Sequence, residues 1–356
     1  MKQKISFQEA LKLPNPIYID VRSPAEYEKG AIPGAINTPL FDDEERETLG
    51  LVYQNDQRLA RQKGVTYASS RLPELIEKIE TLGESGDPVL YCWRGGMRSS
   101  SLHALLEALG IPSFCLQGGY KAFRRFILDQ FSTYCLDKSL YVLNGLTGTG
   151  KTEVLQILKD MGTPVLDLEK LACHRGSLFG HLGLKKTQNQ KDFDALLWMC
   201  LEEIKETDCL VIEGEGKRIG PVYQPDFLYR AITEGIHILL QAPLPIRVTR
   251  ILTEYSPSSE EESKEVEEIL LSLTKHLGEK RVKSFLSLLW EKNYRELVSE
   301  LCLQYYDQMY SESQPGKNKF HLVVDSSDTK TAAKEIKDFI EIQEKAEKYI
   351  IHPPHR

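Results

Sequence analysis

Apolar and polar positions alternate along the first third of the chain in a pattern that predicts short strands separated by helices. Apolar runs predict strands over residues 16–21, 88–91 and 113–116. Apolar residues at helical spacing predict helices over residues 72–82, 99–109 and 120–131. This alternation is typical of an α/β domain, which we expect over residues 1–130.

A second series of apolar runs follows a linker that we expect over residues 131–138. The runs predict strands over residues 140–144, 164–168, 209–213, 236–241 and 320–325. Helical stretches lie between most of them, which predicts a mainly parallel sheet in a second α/β domain over residues 139–356. Apolar side chains also recur at helical spacing between residues 270 and 297, so we expect a helical insertion over about residues 256–312.

The composition limits the class of protein. The length of 356 residues fits about two domains, and the formal net charge is −7. This acidic total excludes nucleic-acid binding by bulk charge alone and still allows local basic patches. No apolar run is long enough for a membrane span, and the polar start of the chain does not read as a signal peptide. The seven cysteines lack C-x-x-C spacing, so we expect no structural zinc site and a reducing, cytoplasmic location.

Cys92 stands at the end of a predicted strand and is followed by a glycine-rich turn and a predicted helix. Backbone N–H groups converge in such a turn, and together with a helix N-terminus they attract anions and lower the pKa of a thiol. A buried, inert cysteine is the alternative. The glycines and arginines favour a nucleophilic thiolate in an anion-binding loop. The residues of this loop are Trp93, Arg94, Gly95, Gly96, Met97 and Arg98.

A second glycine-rich turn matches the phosphate-binding pattern G-x-x-x-x-G-K-[ST] and has the required strand before it and helix after it. Its backbone N–H groups are expected to wrap a phosphate, Lys151 to neutralise it, and Thr152 to contact Mg²⁺ if that ion binds. The pattern does not distinguish a nucleotide from another diphosphate. The residues that carry it are Gly145, Gly148, Gly150, Lys151 and Thr152.

Charged residues follow other strands predicted for the second domain and are expected at the same edge of its sheet. The carboxyl groups are candidates for a metal site or a base, although helix caps or surface groups are equally compatible with their position. The two arginines lie on one helix face and could clamp phosphates, or could belong to a solvated face. These residues are Asp167, Glu169, Glu213, Glu215, Arg247 and Arg250.

The first domain resembles a rhodanese domain. The segments that carry this resemblance are Asp20-Val-Arg-Ser23, Gly30-Ala-Ile-Pro-Gly-Ala-Ile-Asn37 and Leu116-Gln-Gly-Gly-Tyr120. The resemblance puts Cys92 in the position of the family's persulfide-forming cysteine. Simple sulfurtransferases have one residue fewer in this loop, and the C-x5-R spacing is similar to that of rhodanese-fold phosphatases. The larger loop implies a phosphate-like oxyanion as substrate.

A rhodanese-like domain followed by a P-loop NTPase-like domain resembles the bacterial tRNA 2-selenouridine synthases. Residues 167–180 are similar to that family's D-L-E-x-L-A-x-H-R-G-S-x-F-G segment. Residues 213–220 are similar to its E-x-E-S-[RK]-x-I-G segment, with Gly216 where serine is usual. Residues 305–310 are similar to its Y-Y-D-P-M-Y segment, with Gln308 in place of proline.

The resemblance implies that selenium replaces sulfur at C2 of the wobble 2-thiouridine of tRNA. It implies selenophosphate as donor, with Cys92 carrying selenium as S-selanylcysteine, and geranyl diphosphate as the source of a geranyl group on the sulfur. An enzyme that supplies selenophosphate is a further candidate partner. We expect the P-loop to hold the prenyl diphosphate, with Mg²⁺ as an open possibility there and no other cofactor predicted. Four residues are expected to line that site or contact tRNA, namely His174, Arg175, Lys217 and Arg218.

Local basic clusters are candidates for tRNA phosphate contacts, although each one alone is more often an ordinary solvated face. They are Lys121/Arg124/Arg125, Lys185/Lys186 and Lys280/Arg281/Lys283. Two other functions stay open. One is a phosphatase that uses Cys92 and Arg98 and is regulated by the P-loop. The other is an ATP-dependent kinase with a rhodanese binding module.

Overall fold

The computed structural model describes residues 4–180, 182, 187–255, 259–309 and 320–351. The chain divides into two compact units. The first comprises Met1–Thr133 and Asn189–Trp198, and the second comprises Tyr134–Gln188 and Met199–Arg356. A short segment from the second part of the sequence is therefore built into the first unit.

The first unit contains a five-stranded parallel sheet with strand order β1-β5-β4-β2-β3. Its strands are β1 (Lys4–Ile5), β2 (Pro16–Asp20), β3 (Ile36–Asn37), β4 (Asp87–Tyr91) and β5 (Phe114–Leu116). Its helices are α1 (Phe7–Ala10), α2 (Pro24–Glu28), α3 (Asp43–Asn55), α4 (Gln57–Ser69), α5 (Leu72–Gly83), α6 (Met97–Ala108) and α7 (Gly119–Thr133). The predicted α/β class is confirmed for this unit.

Both faces of the first sheet are buried, as expected when crossover helices cover a parallel sheet. One face packs against α1 and α7 through a cluster that includes Phe7, Phe123 and Ile127. Trp198 completes this cluster, and its ring centroid lies 5.2 Å from that of Phe126. The opposite face packs against α4, α5 and α6. The central strand β4 is thus rigidly held where it delivers Cys92.

The second unit contains a five-stranded parallel sheet with strand order β12-β11-β6-β8-β7. Its strands are β6 (Ser139–Asn144), β7 (Val165–Leu166), β8 (Cys209–Glu213), β11 (Ile236–Gln241) and β12 (Leu322–Asp325). A separate antiparallel hairpin pairs β9 (Arg218–Ile219) with β10 (Val222–Tyr223). The parallel sheet expected here is confirmed, with β6 as its central strand.

The helices of the second part surround this sheet and extend beyond it. They are α8 (Lys151–Asp160), α9 (Leu168–Ala172), α10 (Gln190–Glu203), α11 (Asp226–Glu234), α12 (Leu244–Tyr255), α13 (Glu260–Ser272), α14 (Thr274–Leu277), α15 (Glu279–Trp290), α16 (Tyr294–Leu301) and α17 (Thr329–Ile351). A π-helical segment, Cys302–Tyr306, follows α16 directly. The predicted helical insertion is confirmed over residues 259–309, and its remaining positions, 256–258 and 310–312, lie outside the described residues.

One predicted strand is shorter than expected. The run 164–168 forms a strand only at Val165–Leu166, and α9 begins at Leu168. The side chain of Asp167 accepts a hydrogen bond from the backbone N–H of Lys170 at 2.8 Å, which caps α9 and ends the strand. None of the described helices is both long and apolar enough to cross a membrane.

Candidate functional site

Cys92 lies at the first position after β4, in the loop that precedes α6. Its backbone carbonyl accepts a hydrogen bond from Tyr120 N–H at 2.9 Å, and the carbonyl of Trp93 accepts one from Lys121 N–H at 3.0 Å. Gly95 adopts a φ of +61°, and a Cβ there would lie 2.6 Å from the carbonyl oxygen of Leu116. The loop is therefore pinned to the start of α7, and only glycine fits its tightest point.

The environment of the thiol favours the thiolate. Burial opposes ionisation, but hydrogen bonds from the Ser99 hydroxyl and backbone, followed by the charge of Arg98, outweigh it and lower the pKa of Cys92. Ser99 Oγ lies 3.2 Å from Cys92 Sγ. The thiol is only 3% exposed. A buried thiolate at a helix N-terminus is a nucleophile protected from bulk water.

The arginines of the loop have different partners. Arg98 donates two hydrogen bonds to Glu26, at 2.5 and 3.1 Å, so its orientation is fixed by α2. Arg94 is exposed. Trp93 is 37% exposed, and its ring centroid lies 5.7 Å from that of the buried Tyr120. The indole is thus partly accessible beside the nucleophile.

A buried ion pair between Arg22 and Asp20 packs behind the Cys92 loop. Arg22 and Asp20 are almost fully buried, and Arg22 donates a further hydrogen bond to the carbonyl of Gly30 at 2.7 Å. The guanidinium carbon of Arg22 lies 4.3 Å from the ring centroid of Tyr120. The Asp-Val-Arg-Ser segment therefore has a structural role, because Arg22 connects the end of β2 with Tyr120 at the start of α7.

The second loop leaves β6 and enters α8 at Lys151. Lys151 Nζ donates a hydrogen bond to the carbonyl of Gly145 at 3.0 Å, which holds the ammonium group over the loop. Gly150 has a φ of +86°, and a Cβ there would lie 3.0 Å from Thr329. This left-handed conformation places consecutive backbone amides around one concave point, as a phosphate cradle requires.

Three carboxyl groups gather around the end of this loop. Thr152 Oγ1 lies 3.1 Å from Glu213 and 3.3 Å from Glu169. Burial first, then the charge of Glu215, raises the pKa of Glu169 to about 8. Burial also raises the pKa of Glu213 well above its usual range, and that of Glu215. Thr152 has one hydroxyl proton and can donate it to only one of the two carboxyl groups. If the other carboxyl group is protonated, it can donate a hydrogen bond to Thr152 Oγ1.

A cavity of about 260 Å³ opens beside the P-loop. Eight of the residues singled out from the sequence line it, namely Gly148, Gly150, Lys151, Thr152, Glu169, Arg175, Glu215 and Arg250. Within the described part of the second unit, no group of three or more histidine, cysteine or acidic side chains is arranged to hold a metal ion. The cavity thus combines cations at the loop with carboxyl groups, and burial raises the pKa of three of them, Glu169, Glu215 and Glu254.

The other predicted residues of the second unit lie outside the lining of this cavity. Asp167 caps α9. Glu213 is fully buried behind Thr152. His174 is buried against two glycines, because a Cβ on Gly220 would come 2.4 Å from its ring. Lys217 pairs with the exposed Asp226, and Arg218 donates to the carbonyl of Gly220 at 2.8 Å.

Arg247 also lies outside the cavity, because its guanidinium is committed to the protein. It makes two hydrogen bonds to Asp307, at 2.6 and 3.0 Å, and a third to the carbonyl of Thr147 at 2.8 Å. It is 4% exposed, so the alternative of a solvated face is wrong. Arg250 does line the cavity and also binds the carbonyls of Thr149 and Ser326.

Comparisons with known proteins cover nearly the whole chain. A family model described as "tRNA 2-selenouridine synthase AAA domain" matches residues 138–343, and a "Rhodanese-like domain" model matches residues 5–126. The chain belongs to the tRNA 2-selenouridine synthase family. A tRNA 2-selenouridine synthase of Sulfurovum sp. is 32% identical over 330 residues, which cover 85% of this chain and 89% of that protein.

Other relatives in this family are longer than the region they share with this chain. The tRNA 2-selenouridine synthase of Nitrosomonas europaea is 34% identical over 243 residues, which cover 67% of this chain and 63% of that protein. A crystal structure of the N-terminal domain of a putative ATP/GTP-binding protein from Clostridium difficile is 42% identical. The match covers 35% of this chain and 98% of the Clostridium difficile domain, with a TM-score of 0.34.

The structure brings the family's sequence segments together around the P-loop cavity. Arg175 and Glu215 line the cavity from two of these segments, and Tyr305, Tyr306 and Met309 line it from the third. Tyr310 of that third segment lies outside the described residues. In the second segment, a Cβ on Gly216 would meet nothing closer than 4.0 Å, so the serine usual in the family would fit there.

Several residues that line the cavity were not predicted from the sequence. Ile251 and Glu254 come from α12, Leu178 from the loop after α9, and Tyr305 and Met309 from the end of the helical insertion. A narrower apolar cavity of about 60 Å³ shares Thr147, Ser177, Ile251 and Tyr306 with the first. The family resemblance of residues 305–310 was the available signal for the tyrosines, whereas nothing local marked Ile251.

Proposed function

We propose that this protein is a tRNA-modifying transferase that replaces sulfur by selenium at C2 of the wobble 2-thiouridine. Two observations support two successive reactions, one at the P-loop of the second unit and one at Cys92 of the first. The proposal draws on the family to which the chain belongs and on the different chemistry of these two loops.

The composition of the P-loop cavity carries the proposal. Lys151, Arg175 and Arg250 supply positive charge beside the amides of the loop. Leu178, Ile251 and Met309 add apolar surface to the lining, which also includes four glutamates, and the narrower apolar cavity shares Ile251 and Tyr306 with it. A cationic end joined to apolar surface suits a prenyl diphosphate, and we assign geranyl diphosphate to it. If Mg²⁺ accompanies the diphosphate, Thr152 is the hydroxyl nearest to it.

Transfer of the geranyl group to the sulfur of 2-thiouridine prepares the base for substitution. The C1 carbon of the prenyl group forms a bond to sulfur, and diphosphate leaves with the electron pair of the C1–O bond. The alkylated sulfur then leaves C2 as a thiolate, which is a far better leaving group than a sulfide-like anion. In this unit Lys151 and the loop amides stabilise the departing diphosphate.

Cys92 acts in the second reaction. Its lowered pKa and the amides of its loop suit a thiolate that carries selenium as S-selanylcysteine, with selenophosphate as donor. Arg94, which is exposed beside the loop, is available for the phosphate part of the donor or for tRNA. Trp93 is exposed enough to stack on the splayed wobble base.

The tRNA phosphates require positive surface despite the acidic total charge. Lys280, Arg281 and Lys283 are exposed on α15 and are retained as candidate contacts. Arg124 is instead engaged within the first unit by Asp194, at 2.8 Å. The pair Lys185/Lys186 lies outside the described residues.

The experiment follows the wobble nucleoside by mass spectrometry after the protein is mixed with 2-thiouridine tRNA, geranyl diphosphate and selenophosphate. We expect selenouridine with the wild type and accumulation of geranylthiouridine with Cys92→Ser. We expect the double variant Lys151→Ala/Thr152→Ala to stall at 2-thiouridine and to be rescued by tRNA that is already geranylated. Lys159→Ala, at the far end of α8, is the matched control and should behave like the wild type.

Normal geranylation by the double variant would contradict the assignment of the P-loop. Phosphoester turnover that disappears in Cys92→Ser, without selenium on the protein, would instead favour the phosphatase function. ATP hydrolysis or phosphotransfer that persists in Cys92→Ser would favour the kinase function.

A further inference from the structure

A wide apolar groove crosses the first unit between the helix pair α3–α4 and the first turns of α6. Its volume is about 880 Å³, which is within the usual range of ligand pockets. Most of its lining is apolar and includes Tyr53, Val65, Met97 and Leu102. It is separate from the P-loop cavity and lies wholly within the first unit.

The groove begins at the nucleophile's own loop. Met97 and Arg98 form its end, and Met97 directly follows Gly96, whose carbonyl oxygen lies 4.0 Å from Cys92 Sγ. On the inner side, Leu102 of α6 lines the groove and packs in the same core cluster as Cys92. A molecule whose reacting atom faced Cys92 could therefore extend an apolar tail into the groove.

Several large apolar side chains along the groove are exposed and do not belong to the buried core of the first unit. Val65 is 71% exposed, Met97 55% and Tyr53 44%. Single exposed apolar side chains are ordinary, but several around one large groove indicate a binding surface. The amphipathic helices α3 and α4 thus present apolar residues that none of the described residues of the first unit covers.

The charged residues that line the groove are arginines. They are Arg46, Arg61 and Arg98, of which Arg46 and Arg98 pair with Glu26 behind the lining, and none of the described lining residues is acidic. An apolar interior with a cationic rim matches an amphiphile in which a hydrocarbon chain is attached to a polyanion. A prenyl group on the wobble base of tRNA is such a molecule, because the phosphates of the anticodon loop surround its point of attachment.

We propose that this groove binds the geranyl group of S-geranyl-2-thiouridine during the reaction at Cys92. This inference rests on the proposed function and adds a specificity site to it. With the chain in the groove, C2 of the base faces the selenium held at Cys92. A selenium electron pair forms the C2–Se bond, and the C2–S bonding pair leaves with geranylthiolate, which takes a proton from water. A thiol co-substrate then attacks Cys92 Sγ and forms a disulfide with it, the Se–S bond breaks, and its electron pair stays on selenium, so that 2-selenouridine is released. A second thiol molecule reduces the disulfide and restores Cys92.

The groove gives the second reaction a means of recognising its substrate. Unmodified 2-thiouridine tRNA has the same phosphates and nearly the same base but nothing to fill the groove. Burial of each methylene group of the prenyl chain favours binding, so the geranylated tRNA binds the groove more tightly than the unmodified tRNA. The groove thereby selects alkylated tRNA for selenium transfer, and tRNA that has not passed through the P-loop site is excluded.

The test compares two purified tRNAs, one with S-geranyl-2-thiouridine and one with S-methyl-2-thiouridine at the wobble position, each supplied with selenophosphate and the full chain. The groove variant is Val65→Glu. The matched control is Leu51→Glu, which adds the same charge at an exposed leucine of α3 outside the groove lining. Thermal unfolding and sedimentation are recorded for all three proteins, and geranylation of 2-thiouridine tRNA is measured in the same preparations.

We expect the wild type to prefer the geranyl substrate in kcat/KM. We expect Val65→Glu to lower the geranyl-to-methyl ratio by about 10-fold or more, chiefly through KM, because a buried carboxylate opposes the hydrocarbon chain. Leu51→Glu should retain the wild-type ratio. Equal behaviour of the two variants, or an equal loss on both substrates, would overturn the proposal.

Two further outcomes would contradict the groove proposal and show where it fails. If the wild type is a dimer that Val65→Glu dissociates, with equal loss on both substrates, the groove is an interface between copies of this chain. If the wild type converts neither alkylated tRNA although it geranylates 2-thiouridine tRNA, the role of Cys92 in the proposed function fails, and the groove proposal fails with it.

Discussion

At the scale of single residues, the reactivity of Cys92 depends on a short series of side chains behind it. Cys115 Sγ donates to Ser99 Oγ at 3.6 Å, and Ser99 Oγ donates to Cys92 Sγ at 3.2 Å. A hydroxyl group has one proton, so a Ser99 that accepts from Cys115 has its proton directed at Cys92. The buried Cys115 thus positions Ser99 without contacting any substrate.

Ser99→Ala should move the acidic limb of the pH–rate profile for selenium transfer to higher pH. The sign follows from the lowered pKa of Cys92, since loss of a hydrogen bond to the thiolate destabilises the ionised form. At neutral pH we expect the rate to fall on the order of tenfold. Ser132→Ala, at an exposed serine of α7 outside the described cavities, is the control. An unchanged pH profile in Ser99→Ala would show that the hydroxyl does not act on the thiol.

Glu169 should make diphosphate binding dependent on pH. Its pKa of about 8 means that the carboxyl is neutral below that pH and negative above it. Raising the pH through 8 therefore adds negative charge beside Lys151 and should weaken the binding of geranyl diphosphate. Calorimetric titrations between pH 7 and 9 check this. Glu169→Gln should flatten the dependence, whereas Glu153→Gln, at a carboxyl that is 58% exposed, should leave it in place.

At the scale of elements, α12 connects the P-loop to the end of the helical insertion. Arg247 contacts the loop at Thr147 and binds Asp307, just after the π-helical segment that carries Tyr305 and Tyr306. A π-helical turn is commonly retained where it places side chains for function. Here it directs Tyr305 and Tyr306 toward the lining of the cavity.

Removal of this connection should affect stability and geranylation together. Arg247→Ala leaves Thr147 and Asp307 without their partner, and loss of one member of a buried ion pair costs roughly 3–5 kcal/mol. Arg247→Lys keeps the charge but loses the paired hydrogen bonds, so we expect a smaller loss of stability and a raised KM for geranyl diphosphate. Urea unfolding and geranylation kinetics measure these effects. Arg295→Lys, an exposed arginine on α16, should change neither.

The elements that were predicted correctly are those that a pattern of neighbouring residues specifies. The strands at Cys209–Glu213 and Ile236–Gln241 were predicted at their observed bounds, because each is a short apolar run that ends in a polar residue. Both glycine-rich loops were singled out because their glycines and cations are adjacent in sequence. These motifs predict the chemistry of each loop without predicting the cavity around it.

Contacts between distant residues could not be predicted in this way. Arg247 was assigned to a phosphate clamp or a solvated face, and its actual partner, Asp307, is 60 positions away. His174 was assigned to the diphosphate site or to tRNA because it lies in a segment that resembles the family, yet the structure buries it against Gly180 and Gly220. The groove beside Cys92 likewise depends on how two polar-looking helices pack, which their weak apolar pattern does not reveal.

At the scale of the whole molecule, the first unit depends on a segment from the second part of the sequence. Trp198 is 5% exposed among the aromatic residues of α1 and α7, and Asp194 pairs with Arg124 at 2.8 Å. Asp192 accepts a hydrogen bond from the backbone N–H of Ala31 at 3.0 Å. The segment therefore contributes apolar, ionic and backbone contacts to the unit that contains Cys92.

Trp198→Ala should loosen the first unit although it lies far from Cys92 in the sequence. Truncation of a buried tryptophan costs roughly 3–5 kcal/mol, so we expect Cys92 and Cys115 to react faster with a thiol reagent. Mass spectrometry of the labelled peptides measures this. Met199→Ala, at a neighbouring side chain that is 38% exposed, is the control and should leave the labelling rates unchanged. Equal rates in the two variants would show that the tryptophan is not needed for the unit.

The position of this segment also has a consequence for biosynthesis. During synthesis Met1–Thr133 leaves the ribosome well before Asn189–Trp198. More than fifty residues lie between these stretches, and until they have been synthesised the aromatic cluster of the first unit lacks Trp198. During that interval the P-loop strand β6 and helix α8 are already outside the tunnel. The thiolate loop therefore reaches its final rigidity only after the phosphate cradle has been synthesised, and truncated chains that end before Trp198 should be recognised by chaperones and proteases as unfinished.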